Sequence, residues 1–272
     1  MNTLEFLYGT AAGRILLRPL ISKPVSALSG RLLDTKASKV LIGPFAKSAG
    51  INRDDYILDD INSFNDFFCR RIKEGRRSFD MSEDALTSPC DGMLSAYKIN
   101  DGLVVGVKQS RFDMAHLLRD RTLAKSFDGG LCLVFRLGVD NYHRYAWFDG
   151  GKKHKDRRIK GFYHTVRPVA LSQTPVFIEN AREYSVIDTD NFGRCVQMEV
   201  GAMLVGRIVN EDPAPARVQR GQEKGHFEYG GSTVIVLIGR DRAKIPADVL
   251  ARSAAGVETA VKMGEIIGYK GK

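Results

Sequence analysis

Cysteine is scarce in this chain, and Cys69, Cys90, Cys132 and Cys195 stand far apart with no Cys-x-x-Cys pair. That spacing argues against a zinc site or a redox dithiol and fits a reducing compartment. Long apolar runs are missing as well. No stretch approaches the roughly 18 uncharged apolar residues of a membrane-spanning helix, so none is expected. A secretory leader is not expected either, because Glu5 comes early and Arg14 and Arg18 interrupt the N-terminal apolar residues. These absences point to the cytoplasm. No internal repeat or low-complexity segment stands out. No interleaving of aromatic and basic residues offers nucleic acid a stacking platform.

What is abundant is positive charge. The formal charge of +9 and pI near 9.4 bias the protein toward polyanions: nucleic acid, an anionic membrane surface or acidic substrates. Hydrophobic residues at 43% and charged residues at 27% suffice for an ordinary folded core. The 272 residues allow one large domain, or a core domain with an appendage.

The chain changes character near residue 80. Before it, helical spacing dominates. Leu4, Leu7, Ala11 and Ile15 share one face of a predicted helix over 2–20 that Pro19 should end. Segments 26–33 and 39–49 are weaker helical candidates. Residues 1–50 hold seven Lys/Arg against Glu5 and Asp34, a balance that suits either an anionic headgroup layer or helices packed on the protein's own core. Ser63-Phe64-Asn65-Asp66 has capping-box spacing and opens a short helix. After residue 86 come short β-rich runs separated by turn signals, among them 103–107, 131–137, 143–148, 161–164, 176–178, 184–188, 196–200, 203–208, 232–238 and 266–269. Segment 113–118 reads as helical. The fold expected is α+β: a mainly antiparallel β catalytic domain over 61–272, preceded by amphipathic helices over 1–60.

One turn carries chemical interest. Gly230-Gly231-Ser232-Thr233 runs into Val234-Ile235-Val236-Leu237-Ile238, a buried-strand pattern. Usually such a turn is only a turn. Glycine, however, tolerates φ values closed to other residues, and a Gly-Ser bond has little bulk on its carbonyl side. The Ser232 hydroxyl can then attack the carbonyl before it, giving an ester. β-Elimination leaves dehydroalanine, and hydrolysis leaves a pyruvoyl group at a new N-terminus.

The segment Gly225-His226-Phe227-Glu228-Tyr229-Gly230-Gly231-Ser232-Thr233 resembles the C-terminal signature of phosphatidylserine decarboxylases. Further blocks resemble that family in its own order: Ser63-Phe64-Asn65-Asp66-Phe67-Phe68, Ser88-Pro89-Cys90-Asp91-Gly92, Asn141-Tyr142-His143-Arg144-Tyr145, His164-Thr165-Val166, and Val200-Gly201-Ala202 with Val205-Gly206. The resemblance runs from about residue 40 to the C-terminus. It implies an autocatalytic cut between Gly231 and Ser232, giving a large subunit 1–231 and a small subunit 232–272 that carries the pyruvoyl group on the former Ser232. It further implies that the amine of phosphatidylserine condenses with that ketone, which takes up electrons as CO2 leaves and phosphatidylethanolamine forms. No metal or soluble coenzyme is called for. The implied setting is the cytoplasmic face of the cell membrane, held peripherally, and a homodimer is compatible with it.

The family activates its serine with an Asp-His-Ser arrangement. Asp91 matches the orienting carboxylate. The second histidine of the family pattern is replaced by Ala146, and the pattern's Asp by Asn141. His143 alone matches a family histidine and is expected to serve both self-cleavage and decarboxylation. His164 is the alternative base, with His226 a more distant one; a poorly self-processing precursor is the third reading. Arg144 and Lys224 are the cations named for the substrate phosphate. Three other readings stay open. These are a pyruvoyl decarboxylase of another amine, a biotinyl- or lipoyl-like carrier using Lys262 in Val261-Lys262-Met263-Gly264, and a nucleic-acid binder using the basic surface.

Overall fold

The computed structural model describes residues 3–105, 111–203, 207–230 and 232–271. Helices α1 (Thr3–Gly9), α2 (Ala11–Leu20), α3 (Lys23–Leu33) and α4 (Ile42–Ser48) come first. The single helix predicted over 2–20 is two. Thr10 breaks it, because its side chain accepts the Gly13 N–H at 2.9 Å and so caps a new helix. The two helices then cross so closely that a Cβ on Gly13 would lie 2.0 Å from the Phe6 carbonyl oxygen. The segment predicted over 39–49 divides into a 3-10 turn, Lys36–Leu41, and α4. Helix α5 (Phe64–Phe68) begins where the capping box places it, Ser63 Oγ accepting the Asp66 N–H at 3.0 Å.

The remainder is antiparallel sheet. In chain order the strands that matter are β1 (Ala85–Thr87), β2 (Gly92–Asn100), β3 (Leu131–Leu137), β4 (Arg144–Ala146), β5 (Gly151–Lys153) and β6 (Arg182–Thr189). They continue as β7 (Gly193–Gly201), β8 (Ile208–Asn210), β9 (Ala216–Val218), β10 (Glu223–Phe227), β11 (Ser232–Ile238), β12 (Thr259–Val261) and β13 (Ile266–Lys270). The large sheet runs β9-β5-β6-β7-β11-β3-β2, with β12 joined to β2. A small sheet, β8-β10-β4, contributes Tyr145 and Phe227 to the core cluster that also holds Val234 and Val236. The protein is therefore α+β with mainly antiparallel sheet, as the sequence pattern predicts.

Strand β11 explains its own composition. It lies in the middle of the large sheet, and every residue in it is buried. Val234, Val236 and Ile238 face one core cluster; Ile235 and Leu237 face the other. With both faces covered, alternation disappears and the strand reads as a continuous apolar run.

Two strand expectations fail locally, and one strand went unpredicted. Val176–Glu179 is a helical turn, since a three-residue apolar run cannot distinguish the two states. Segment 161–164 forms only a bridge between Phe162 and Asn180, its other bonds going to Ile21 and the Asn180 side chain. Strand β2, with Lys98 and Ser95 in it, lacks the alternation that would have announced it. The 203–208 candidate falls partly outside the described residues.

Candidate active site

Ser232 is the first residue of β11, paired with Gly201 of β7 on one side and Leu137 of β3 on the other. It is fully buried, and its Oγ has no hydrogen-bond partner among the described residues. A buried hydroxyl left unpaired costs free energy, on the order of 1–3 kcal/mol. Such a defect at a sheet centre calls for a reason. Gly230, two residues upstream, takes a φ of 133°, a value that glycine adopts easily and side-chain-bearing residues rarely do. Gly231 lies outside the described residues.

The segment leading to Ser232 is held by α5. Asn65 Oδ1 accepts the Tyr229 N–H at 3.0 Å, while Asn65 Nδ2 donates to Asp34 at 2.9 Å. The Tyr229 ring sits edge-on to Phe64 and Phe68, each 5.1 Å away. Phe68 in turn stacks on His143 at 4.1 Å. One short helix thus positions both the run-up to the serine and the histidine.

His143 is fully buried just before β4, and its carbonyl accepts the Phe227 N–H at 2.9 Å. Its Nδ1 lies 3.0 Å from the Asn141 carbonyl oxygen, which can only accept, so Nδ1 carries the hydrogen and Nε2 presents a lone pair. Nε2 has no partner. Burial pushes the His143 pKa down to about 3, against smaller opposing effects from the Asn141 and Gly230 backbones. The ring is therefore neutral throughout the physiological range, and it lies close to the backbone just upstream of Ser232.

Beside Gly230 opens a cavity of about 540 Å³ lined by Leu4, Arg136, Arg167, Met203 and Tyr229 among others. The Arg136 guanidinium is gripped at two points by Glu258, at 2.9 and 2.5 Å. Arg167 is exposed, and among the described residues its guanidinium forms no ion pair.

Asp91 is buried in the turn before β2. Arg77 donates to both its oxygens, at 2.8 and 2.6 Å, and the Met263 N–H donates to Oδ1 at 2.9 Å. None of these partners is a histidine.

The profile of the family described as phosphatidylserine decarboxylase matches residues 64–269. The chain is 42% identical to phosphatidylserine decarboxylase proenzyme 2 of Clostridium acetobutylicum over 97% of its own length and 91% of the relative's. It is 40% identical to the proenzyme of Ruminiclostridium cellulolyticum, covering 97% and 90%. Against the proenzyme of Clostridium perfringens (strain ATCC 13124) identity is 38%, covering 99% and 94%. The chain belongs to the phosphatidylserine decarboxylase family.

It is therefore a decarboxylase by family, and the carrier and nucleic-acid readings are set aside. The Pro89 carbonyl accepts the Ala146 N–H at 2.8 Å, so the Asp91 turn adjoins Ala146, while Arg77 takes the carboxylate.

His164 is built into other contacts. Its Nδ1 meets Tyr8 Oη at 3.3 Å and its Nε2 meets Glu179 at 3.2 Å, while burial lowers its pKa. It lines a different cavity, against α2. His226 lies on β10, its pKa pushed down to about 4 by burial and by Arg144, Arg207 and Arg71. With Glu211 and Glu223 it makes a cluster of potential metal ligands, but Arg144 pairs with Glu223 and the surrounding cations oppose a metal ion.

The two cations named for substrate do not line the cavity at Gly230. Arg144 donates to the Cys69 carbonyl and pairs with Glu223; Lys224 is buried against Glu199 at 2.5 Å. Both are engaged within the fold, and the arginines at the cavity are 136 and 167. Sequence reasoning missed Arg77, Asn65 as a backbone anchor, and Glu199. Only Asn65 left a signal, as part of the block around α5.

Proposed function

We propose that this chain decarboxylates phosphatidylserine to phosphatidylethanolamine after cutting itself between Gly231 and Ser232. The observation that carries this reading is the orphaned, fully buried Ser232 hydroxyl at the start of a central strand, directly after two glycines. The names of the relatives supply the substrate and, through the word proenzyme, the processing.

In this reading Ser232 Oγ attacks the Gly231 carbonyl and the Gly-Ser peptide bond breaks to give an ester. β-Elimination releases the Gly231 carboxylate and leaves dehydroalanine, which water hydrolyses with loss of ammonia to a pyruvoyl group on the new N-terminus. The residues present fit such a group, since Ser232 is in place to become it and opens toward no competing hydrogen bond. A ketone at that position supplies an electron sink for the departing carboxylate.

The protein's side chains do the rest. The cavity beside Gly230 admits the headgroup, with Arg167 placed to meet phosphate or carboxylate and Arg136 held at its wall by Glu258. His143 presents an unprotonated Nε2, held in that tautomer by Asn141, and this nitrogen can take a proton from the substrate amine so that the amine can condense with the ketone. Asp91 acts as a positioning residue: through Arg77 and the Met263 N–H it ties the end of the future small subunit to the turn before β2.

The N-terminal helices would bring the enzyme to the lipid. Ile15, Leu16, Leu28, Leu32 and Val40 are exposed, Val40 by 77%, among Arg14, Arg18, Arg31 and Lys39. Apolar side chains ringed by cations suit an anionic membrane surface. No described helix is long and apolar enough to cross a membrane, so the attachment proposed is peripheral, at the cytoplasmic face.

The test is carbon dioxide release from vesicles containing phosphatidylserine, compared with free serine, by the native protein and by Ser232→Ala. Release from the lipid that Ser232→Ala abolishes is the expected result. Equal activity of Ser232→Ala, or turnover of another amine alone, would overturn it.

A further inference from the structure

A second buried acid shares a sheet face with Ser232, and nothing described so far uses it. Glu199 lies on β7, two residues from Gly201, the cross-strand partner of Ser232. Cross-strand partners project to the same face, as do residues two apart, so Glu199 and Ser232 are diagonal neighbours on one face. Diagonal neighbours sit about 7–8 Å apart, within reach of a side chain as long as glutamate. Glu199 is completely buried, and one carboxylate oxygen is satisfied: Oε2 takes Lys224 Nζ at 2.5 Å and Asn210 Nδ2 at 3.4 Å. The other, Oε1, has no hydrogen-bond partner among the described residues. An unpaired acceptor and an unpaired donor therefore occupy diagonal positions on one buried sheet face.

We infer that Glu199 receives the Ser232 hydroxyl proton during self-cleavage and delivers it to the Ser232 amine as the peptide bond breaks. This rests on the self-cleavage reading above. The step balances: the Oγ–C bond to Gly231 forms, the C–N bond breaks, and the proton moves from oxygen to carboxylate to nitrogen. Lys224 and Asn210 hold the carboxylate while Oε1 works.

Electrostatics favours this group over His143 for the step. Burial raises the Glu199 pKa to about 7, Lys224 opposing and Asp156 and Glu183 adding to it. A base whose pKa lies near the working pH is both available and strong enough, whereas a histidine near 3 is available but weak. The groups facing Glu199 are Lys224 on β10, Asn210 on β8, Tyr145 on β4, Cys90 in the turn before β2, its cross-strand partner Glu183 on β6, and Asp156 with its own partner Lys153. Among the described residues, Lys224 is the one cation bonded to it.

The test uses the full chain made by cell-free synthesis and shifted to buffers from about pH 5.5 to 8.5, cut fraction being followed on denaturing gels. Ionised Glu199 is the active form, so the cutting rate should rise about tenfold per pH unit and level off near the Glu199 midpoint. Lys224→Met raises that midpoint and should move the profile up by a unit or more. Glu199→Gln should cut at least 100-fold more slowly while melting at the same temperature as uncut Ser232→Ala, and Glu199→Asp should recover part of the rate. A native profile flat across this range, as His143 would give, or wild-type cutting by Glu199→Gln, overturns this inference and leaves self-cleavage standing. A native chain that never cuts overturns the parent reading as well. The native profile needs no variant, so misfolding of Glu199→Gln does not remove the test.

Discussion

At the scale of single residues, the site is a set of buried polar atoms left without partners. Ser232 Oγ, His143 Nε2 and Glu199 Oε1 are all orphaned around one stretch of backbone, where most buried polar groups in folded proteins are paired. Such defects cost stability and are retained when chemistry needs them. Ser232→Ala removes one and should leave a single full-length band, with no loss of thermal stability. His143→Gln should lower the decarboxylation rate at least 100-fold, by loss of proton transfer. Because His143 stays neutral above about pH 4, this histidine should impose no pH dependence on turnover between pH 5 and 8. A turnover profile with a histidine-like inflection near 6.5 that vanishes in His143→Gln would contradict its buried, neutral state. The serine and this histidine were legible because their motifs are local. Glu199 was not: its neighbourhood with Ser232 exists only through strand register, and its counter-ion comes from a third strand.

At the scale of elements, α5 does more than pack. Its capping box, aromatic face and single Asn fix the backbone of Tyr229, three residues before the proposed cut. Asn65→Ala leaves the Tyr229 N–H unsatisfied and should slow self-cleavage while lowering stability by about 1–3 kcal/mol. Cutting-rate measurements paired with chemical denaturation check both effects. Unchanged cutting in Asn65→Ala would show that the run-up is positioned by its rings alone. The helix was legible in the sequence through Ser63 and Asp66. Its partnership with a segment some 160 residues later was not, because the bond runs from a side chain to a backbone N–H that any residue could supply. The split of the first helix at Thr10 escaped for a similar reason: a residue that can cap a helix start breaks an otherwise unbroken apolar stripe.

At the scale of the whole molecule, the proposed cut would not separate the pieces. Strand β11 stays between β7 and β3, β13 pairs with β1, β12 pairs with β2, and Arg136 grips Glu258 across the same boundary. The two fragments should therefore co-elute on gel filtration and part only in denaturant. Attachment to lipid belongs to this scale as well. Vesicles rich in anionic lipid should bind the protein at low salt, and Ile15→Glu with Leu16→Glu should reduce the bound fraction severalfold. Binding unaffected by either salt or that pair of changes would remove α2 from the membrane contact.

The most direct measurement is the intact mass of the purified native protein under denaturing conditions. The account predicts two species, residues 1–231 and a fragment of residues 232–272 whose first residue carries a ketone in place of the serine amine. One full-length mass in a preparation that releases carbon dioxide from phosphatidylserine would contradict it.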